Sequence, residues 1–107
     1  MPRRKFRVVL VSAPRGRRAE ALARGLVEAR LAACVNVIPG VVSHYRWEGK
    51  LRRGAECLLV IKTTSSLLKA LERWVKAHHP NSVPEVIALG IAAGSRDYLR
   101  WLAAQVS

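Results

Sequence analysis

Apolar residues in this chain recur with two different periods, and the order of those periods leaves few folds open. Residues 6–13, FRVVLVSA, are rich in valine and read as a strand. Phe6, Val8, Leu10 and Ser12 point one way; Arg7, Val9, Val11 and Ala13 point the other. Both faces are largely apolar, as in a central strand, and Pro14 and Gly16 then mark a turn. Over residues 17–32 the period becomes helical. Ala19, Leu22, Ala23, Leu26, Val27 and Leu31 form one stripe, while Arg18, Glu20, Arg24 and Glu28 fill the rest. Residues 33–38, ACVNVI, form a second extended piece that Pro39 and Gly40 end.

Residues 41–49, VVSHYRWEG, alternate with a period of two, so Val41, Ser43, Tyr45 and Trp47 share one face. A partner strand follows over residues 55–63, AECLLVIKT, with a turn between Gly49 and Gly54 closing a long hairpin. Cys57, Leu59 and Ile61 face the helices, whereas Leu58 and Val60 occupy the opposite face. Residues 65–79 read as a second helix capped by Thr64 or Ser65. Its buried stripe runs through Leu67, Leu68, Leu71, Trp74, Val75 and His78, and Pro80 ends it. Residues 83–91, VPEVIALGI, return as a last core strand, and Ser95 can cap a short final helix with Asp97 in its first turn.

The order β-α-β-β-α-β plus a C-terminal helix is that of an α+β, ferredoxin-like sandwich. A chain of 107 residues suits one domain spanning 1–107, with residues 1–5 expected as a flexible basic tail. Two helices cover one face of the sheet. The other face carries Leu58 and Val60, and the last helix has apolar residues on more than one side, including Tyr98 and Trp101. That surplus points to burial against neighbouring subunits, with Tyr45 packing there too.

Nineteen Lys and Arg against seven Asp and Glu give a formal charge of +12, which favours solubility and attraction to polyanions. The basic residues are scattered, however. The RNA-recognition fold shares this element order but stacks bases on aromatics in its central strands, and here those strands have none at their middles. Nucleic acid is therefore not the expected partner. No apolar run is long enough to cross a bilayer, and the short run after the basic start does not read as a signal peptide, so a cytoplasmic location is expected. Cys34 and Cys57 make no disulfide framework and read as buried free thiols.

Chemistry-bearing residues are sparse. Residues 14–18, PRGRR, follow a strand and open a helix, a weak anion-binding signal. No spacing announces a nucleophile with its base, so an enzyme is not expected. No CxxC or HxxxH motif gathers metal ligands, although Cys34, His44, Glu48, Glu56, His78, His79 and Glu85 are available. A thiolate with an imidazole would suit copper. His79, beside Pro80, reads either as a helix C-cap or as a ligand, and His78 as a core histidine.

Five strings, LVEARLAACVNVIPG (26–40), SHYRWEGKL (43–51), ECLLVIKTT (56–64), HHPNSVPEVIAL (78–89) and DYLRW (97–101), occur in the order seen in the CutA divalent-cation tolerance family. The chain resembles that family from about residue 7 to residue 102. The resemblance implies a stable homotrimer similar in architecture to PII signalling proteins, with hairpin arms reaching neighbouring subunits. It further implies a non-enzymatic role in tolerance of copper and other divalent cations. The family's proposed copper-ligating cysteine falls on Cys34, and its YxWEGK motif on Tyr45, Trp47, Glu48 and Lys50. Its third-strand acid and lysine fall on Glu56 and Lys62, and its HPYxxPE motif on His79, Pro80, Pro84 and Glu85, with Asn81 replacing the tyrosine. Cysteines that some members carry are Val11 and Trp74 here, so a metal site would combine Cys34 or His79 with carboxylates such as Glu85, across a subunit boundary. The alternative is a PII-like sensor or scaffold holding a small anion or partner protein in a basic cleft lined by Arg46 and Lys62.

Overall fold

The computed structural model describes residues 5–106. The elements are β1 (Phe6–Pro14), α1 (Arg17–Glu28), β2 (Cys34–Trp47), β3 (Lys50–Thr64), α2 (Leu68–His78), β4 (Ile87–Gly90) and α3 (Arg96–Gln105). They form one antiparallel sheet in the order β2-β3-β1-β4, the ferredoxin-like arrangement. The tail expected over residues 1–5 lies outside the described residues except at Lys5, whose carbonyl accepts a hydrogen bond from the Ser65 amide at 2.6 Å.

The core lies between the sheet and its two covering helices. Val9, Val11 and Ala13 of β1 and Cys57, Leu59 and Ile61 of β3 meet Ala19, Leu22 and Leu26 of α1 and Leu71 and Val75 of α2. Each fully buried Leu, Ile or Val stabilises the fold by about 1.5–3 kcal/mol. The valine-rich β1 is central, as its two apolar faces predict. Gly25 of α1 permits close helix packing, because a Cβ there would stand 2.6 Å from the Trp74 ring.

Several boundaries differ from the sequence reading. α1 stops at Glu28 rather than residue 32, because Arg30 takes a left-handed φ of 60° and the amides of Leu31 and Ala32 turn back to the Leu26 carbonyl. Val27 then falls off the buried stripe. Pro39 and Gly40 do not end a strand: β2 runs through them as a bulge between Ile38 and Val41. The hairpin turn is not spread over residues 49–54. Trp47 pairs with Lys50, leaving a two-residue turn in which Glu48 (φ 52°) and Gly49 (φ 75°) both have positive φ, as a tight hairpin requires.

α2 is preceded by a 3-10 turn, Ser65–Leu67, and neither helical start has a side-chain cap; the Thr64 hydroxyl meets the Ser66 hydroxyl instead. His78 is not in the core. It is exposed, stacked 3.9 Å from the Trp74 ring, with Nδ1 at 2.7 Å from the Trp74 carbonyl. Cys57 is buried but Cys34 is only partly so. The expected core strand 83–91 is a four-residue edge strand with every residue exposed, since it has β1 as its single neighbour.

On the face away from α1 and α2, Leu10 stands beside Val60 and Ile87, Val8 beside Leu89, and Leu58 beside Ile38. Ile38, Ile87 and Leu89 are each about half exposed. α3 touches β3 and buries Leu102 completely, apart from the main core cluster. Its first turn is capped as expected, the Tyr98 amide donating to Ser95 Oγ at 3.2 Å.

Candidate functional site

β1 ends opposite Glu56, whereas β2 and β3 remain paired as far as Trp47 and Lys50. The hairpin therefore projects beyond the sheet as a two-stranded arm, which gives the molecule a 44 Å long axis. In the angle between this arm and the end of β1 lies a cleft of about 630 Å³. Its walls are Ser12 from β1, Ser43, His44, Tyr45 and Trp47 from β2, Glu56 from β3, and Asn81, Ser82, Val83 and Glu85 from the segment after α2.

Strand register explains the arm side. Ser43, Tyr45 and Trp47 alternate on one face, and Glu56, opposite Val41, shares it. The Ser43 hydroxyl donates to Glu56 Oε1 at 2.5 Å, which fixes that carboxylate. The Tyr45 ring lies beside the bare backbone of Gly54, where an added Cβ would come within 3.9 Å of it.

The opposite wall is held by His79. This residue is buried; its Nδ1 accepts the Asn81 amide at 3.0 Å and its Nε2 lies 2.8 Å from the Ser12 carbonyl. A carbonyl only accepts, and an amide N–H only donates, so the Nε2–H tautomer satisfies both bonds. The imidazole thus ties the segment carrying Glu85 to the end of β1. Both its nitrogens are used within the fold, so ligation by His79 would break one of these bonds. His79 stands at the C-cap position of α2, its amide donating to the Val75 carbonyl at 2.7 Å, with its ring buried.

A second cluster lies at the far end of β3. Cys34 pairs with Lys62, whose ammonium donates to Asn36 Oδ1; Cys34 Sγ lies 4.0 Å from the same oxygen. Tyr98 of α3 is nearby, and its phenol pKa is raised from 10.0, chiefly by burial and further by the Cys34 charge. Lys62 lies six positions beyond Glu56 along β3, roughly 20 Å along a strand. The thiol and the cleft carboxylates therefore cannot share one ion within one subunit.

The residues singled out from sequence accordingly divide. Tyr45, Trp47, Glu56 and Glu85 come together in the cleft, with His79 behind it. Glu48 forms the hairpin turn, Lys50 faces Trp47 across it, and neither Arg46 nor Lys62 lines the cleft. Tyr98 and Trp101 form an exposed pair on α3, their rings 5.5 Å apart. The sequence offers His44 as an available ligand but gives no site role to Ser12, Ser43, Ser82 or Asn81. Alternation within 41–49 placed Ser43 beside Tyr45 and Trp47, but nothing local linked Ser12 to that arm.

The cleft chemistry is specific in sign. Among the described residues no Lys or Arg lines it, although the chain has 19, while Glu56 and Glu85 do. Among the described residues no three His, Cys, Asp or Glu side chains are grouped to hold a metal ion. One subunit thus offers carboxylate donors in the cleft but not a complete coordination set. No helix among the described residues is long and apolar enough to cross a membrane.

Comparisons with known proteins agree with this architecture. The profile of the CutA1 divalent ion tolerance protein family matches residues 7–105. The divalent-cation tolerance protein CutA of Thermus thermophilus is 50% identical over 95 residues, covering 89% of this chain and 92% of that protein. The chloroplastic protein CutA 1 of rice is 52% identical over 95 residues, covering 89% of this chain but 54% of its own, so the chain spans about half of that plant relative. The solved Thermus thermophilus Cut A1 structure superimposes with a TM-score of 0.93 at 47% identity, covering 95% of this chain and 99% of that one.

Proposed function

The chain belongs to the CutA1 divalent ion tolerance family, and from that premise we propose that it serves cation tolerance by binding the ion directly, as a non-enzymatic homotrimer in the cytoplasm. The observation that carries this reading is that Glu56 and Glu85 line one cleft that, among the described residues, no Lys or Arg lines. They supply oxygen donors suited to a divalent ion such as copper(II). Groups from a neighbouring subunit or water complete the set. The exposed apolar sheet face around Val60, Ile38, Ile87 and Leu89 supports the trimer. Cys34, remote from the cleft, offers a separate, softer donor for copper(I). His79 acts as the tether of the Glu85 segment. Ligation needs deprotonated carboxylates, so affinity falls on acidification.

Copper(II) titration by calorimetry on the full chain and on Glu56→Gln, Glu85→Gln and Cys34→Ala tests this. Stoichiometric binding weakened about tenfold or more by either glutamine, at unchanged assembly mass, is expected. Weak binding that all variants share overturns it and favours the PII-like sensor or scaffold.

A further inference from the structure

Ser43 and Glu56 are diagonal neighbours across the hairpin. Ser43 pairs with Gly54 and Val41 with Glu56, so the two side chains leave the same face. Gly54, directly opposite Ser43, brings no side chain of its own between them. The bond from Ser43 Oγ to Glu56 Oε1, at 2.5 Å, is a hydroxyl donating to a carboxylate, one of the stronger hydrogen bonds a protein makes. Both partners belong to paired strands of one subunit. The bond therefore holds whether or not a neighbouring arm covers the cleft.

This bond makes the two carboxylate oxygens unequal. Oε1 receives the Ser43 proton, whereas Oε2 has no hydrogen-bond partner among the described residues. An ion held through Oε2 alone leaves the bond intact. An ion that chelates both oxygens has to share Oε1 with the hydroxyl. Calcium takes about six to eight oxygen ligands and accepts chelating carboxylates. Smaller divalent ions take fewer donors in a stricter geometry. Two lining carboxylates also supply fewer oxygens than calcium uses. We infer that Ser43 is a specificity-determining residue: by occupying Oε1 it makes Glu56 a one-oxygen ligand and sets the cleft to small divalent ions of the transition series over calcium. Ser43 acts through Glu56 and is a positioning residue, not a ligand. Groups that orient a ligating side chain in this way commonly govern about 10–100-fold in metal affinity. The inference rests on the reading that Glu56 and Glu85 hold the ion.

Calorimetric titration of the full chain with copper(II), manganese(II) and calcium, each alone, compares the parent with Ser43→Ala, Ser43→Thr and Glu56→Gln, with assembly mass measured for each. Ser43→Ala should weaken copper(II) and manganese(II) about tenfold while calcium binds as in the parent or more tightly, so the preference for manganese(II) over calcium falls about tenfold. Ser43→Thr keeps the hydroxyl on a side chain that suits a strand and should keep the parent's preference. An equal loss for all three ions marks Ser43 as merely structural and overturns the inference. A parent that binds calcium as tightly as manganese(II) overturns it as well. Parent-like binding of every ion by Ser43→Ala, with copper(II) lost about tenfold in Glu56→Gln, overturns the role of Ser43 and leaves the cation site standing. Parent-like binding by Glu56→Gln removes the cation site itself, and the role of Ser43 with it.

Discussion

The His79 imidazole, 2.8 Å from the Ser12 carbonyl through Nε2, joins the end of α2 to the end of β1 across 67 residues of sequence. Through Nδ1 the same ring receives the Asn81 amide at 3.0 Å, so one side chain fixes the segment that carries Glu85. His79→Ala leaves a carbonyl and an amide without these partners. It should cost about 1–3 kcal/mol in urea unfolding and speed hydrogen exchange at the Asn81 amide. Unchanged exchange there would show that the tether does not hold the segment.

Gly25→Ala should destabilise the fold even though alanine favours a helix by up to about 1 kcal/mol. The new methyl would stand 2.6 Å from two Trp74 ring carbons, and that ring is backed by the stacked His78 imidazole. Overpacking costs about 1–3 kcal/mol, which outweighs the helical gain. A lowered denaturation midpoint that Trp74→Leu in the same chain partly restores would identify the collision as the cause.

At the hairpin tip, Glu48 holds a left-handed φ of 52° without being glycine or asparagine. Glu48→Asn should stabilise the arm by about 0.5–1 kcal/mol, while Gly49→Val at φ 75° should destabilise it. Thermal unfolding of the pair reads both signs.

Val60 lies on the open sheet face between Leu10 and Asn36. Val60→Asp should reduce the solution mass to that of one subunit while circular dichroism retains helix and strand, because the side chain lies outside the covered core. A parent chain already measured as a single subunit would overturn the trimer itself.

Tyr98 supplies a pH signature. Its phenol pKa lies above 10.0 in the fold, first because burial disfavours the phenolate and then because the Cys34 charge repels it. Folding therefore favours the protonated form: this contribution is present below the unfolded value of 10.0 and is lost as pH rises through the higher folded value. Ultraviolet titration of Tyr45→Phe should show this late phenol, and Cys34→Ala should move it only part of the way back.

Much of this architecture was legible in the residue pattern. The alternation of β1 and β3, the stripe Ala19–Leu22–Leu26 and the Ser95 cap are local signals, and each corresponds to the element found. Failures occurred where a local preference met a long-range partner. Pro39 and Gly40 suggested an end to β2, yet pairing with β3 on both sides carries the strand through as a bulge. His78, spaced for the core stripe, is exposed, and its neighbour His79 is buried, because the chain turns to extended geometry at that residue.

The sequence by itself determined the element order, the two-sided character of β1 and the surplus of apolar surface, since these rest on periodicity along a few turns or a single strand. Only the tertiary structure decided that Glu56 and Glu85 share a cleft while Cys34 lies at the far end of β3. That separation is set by strand register and by the bond from His79 to Ser12, and contacts between residues so distant along a chain leave no period to read.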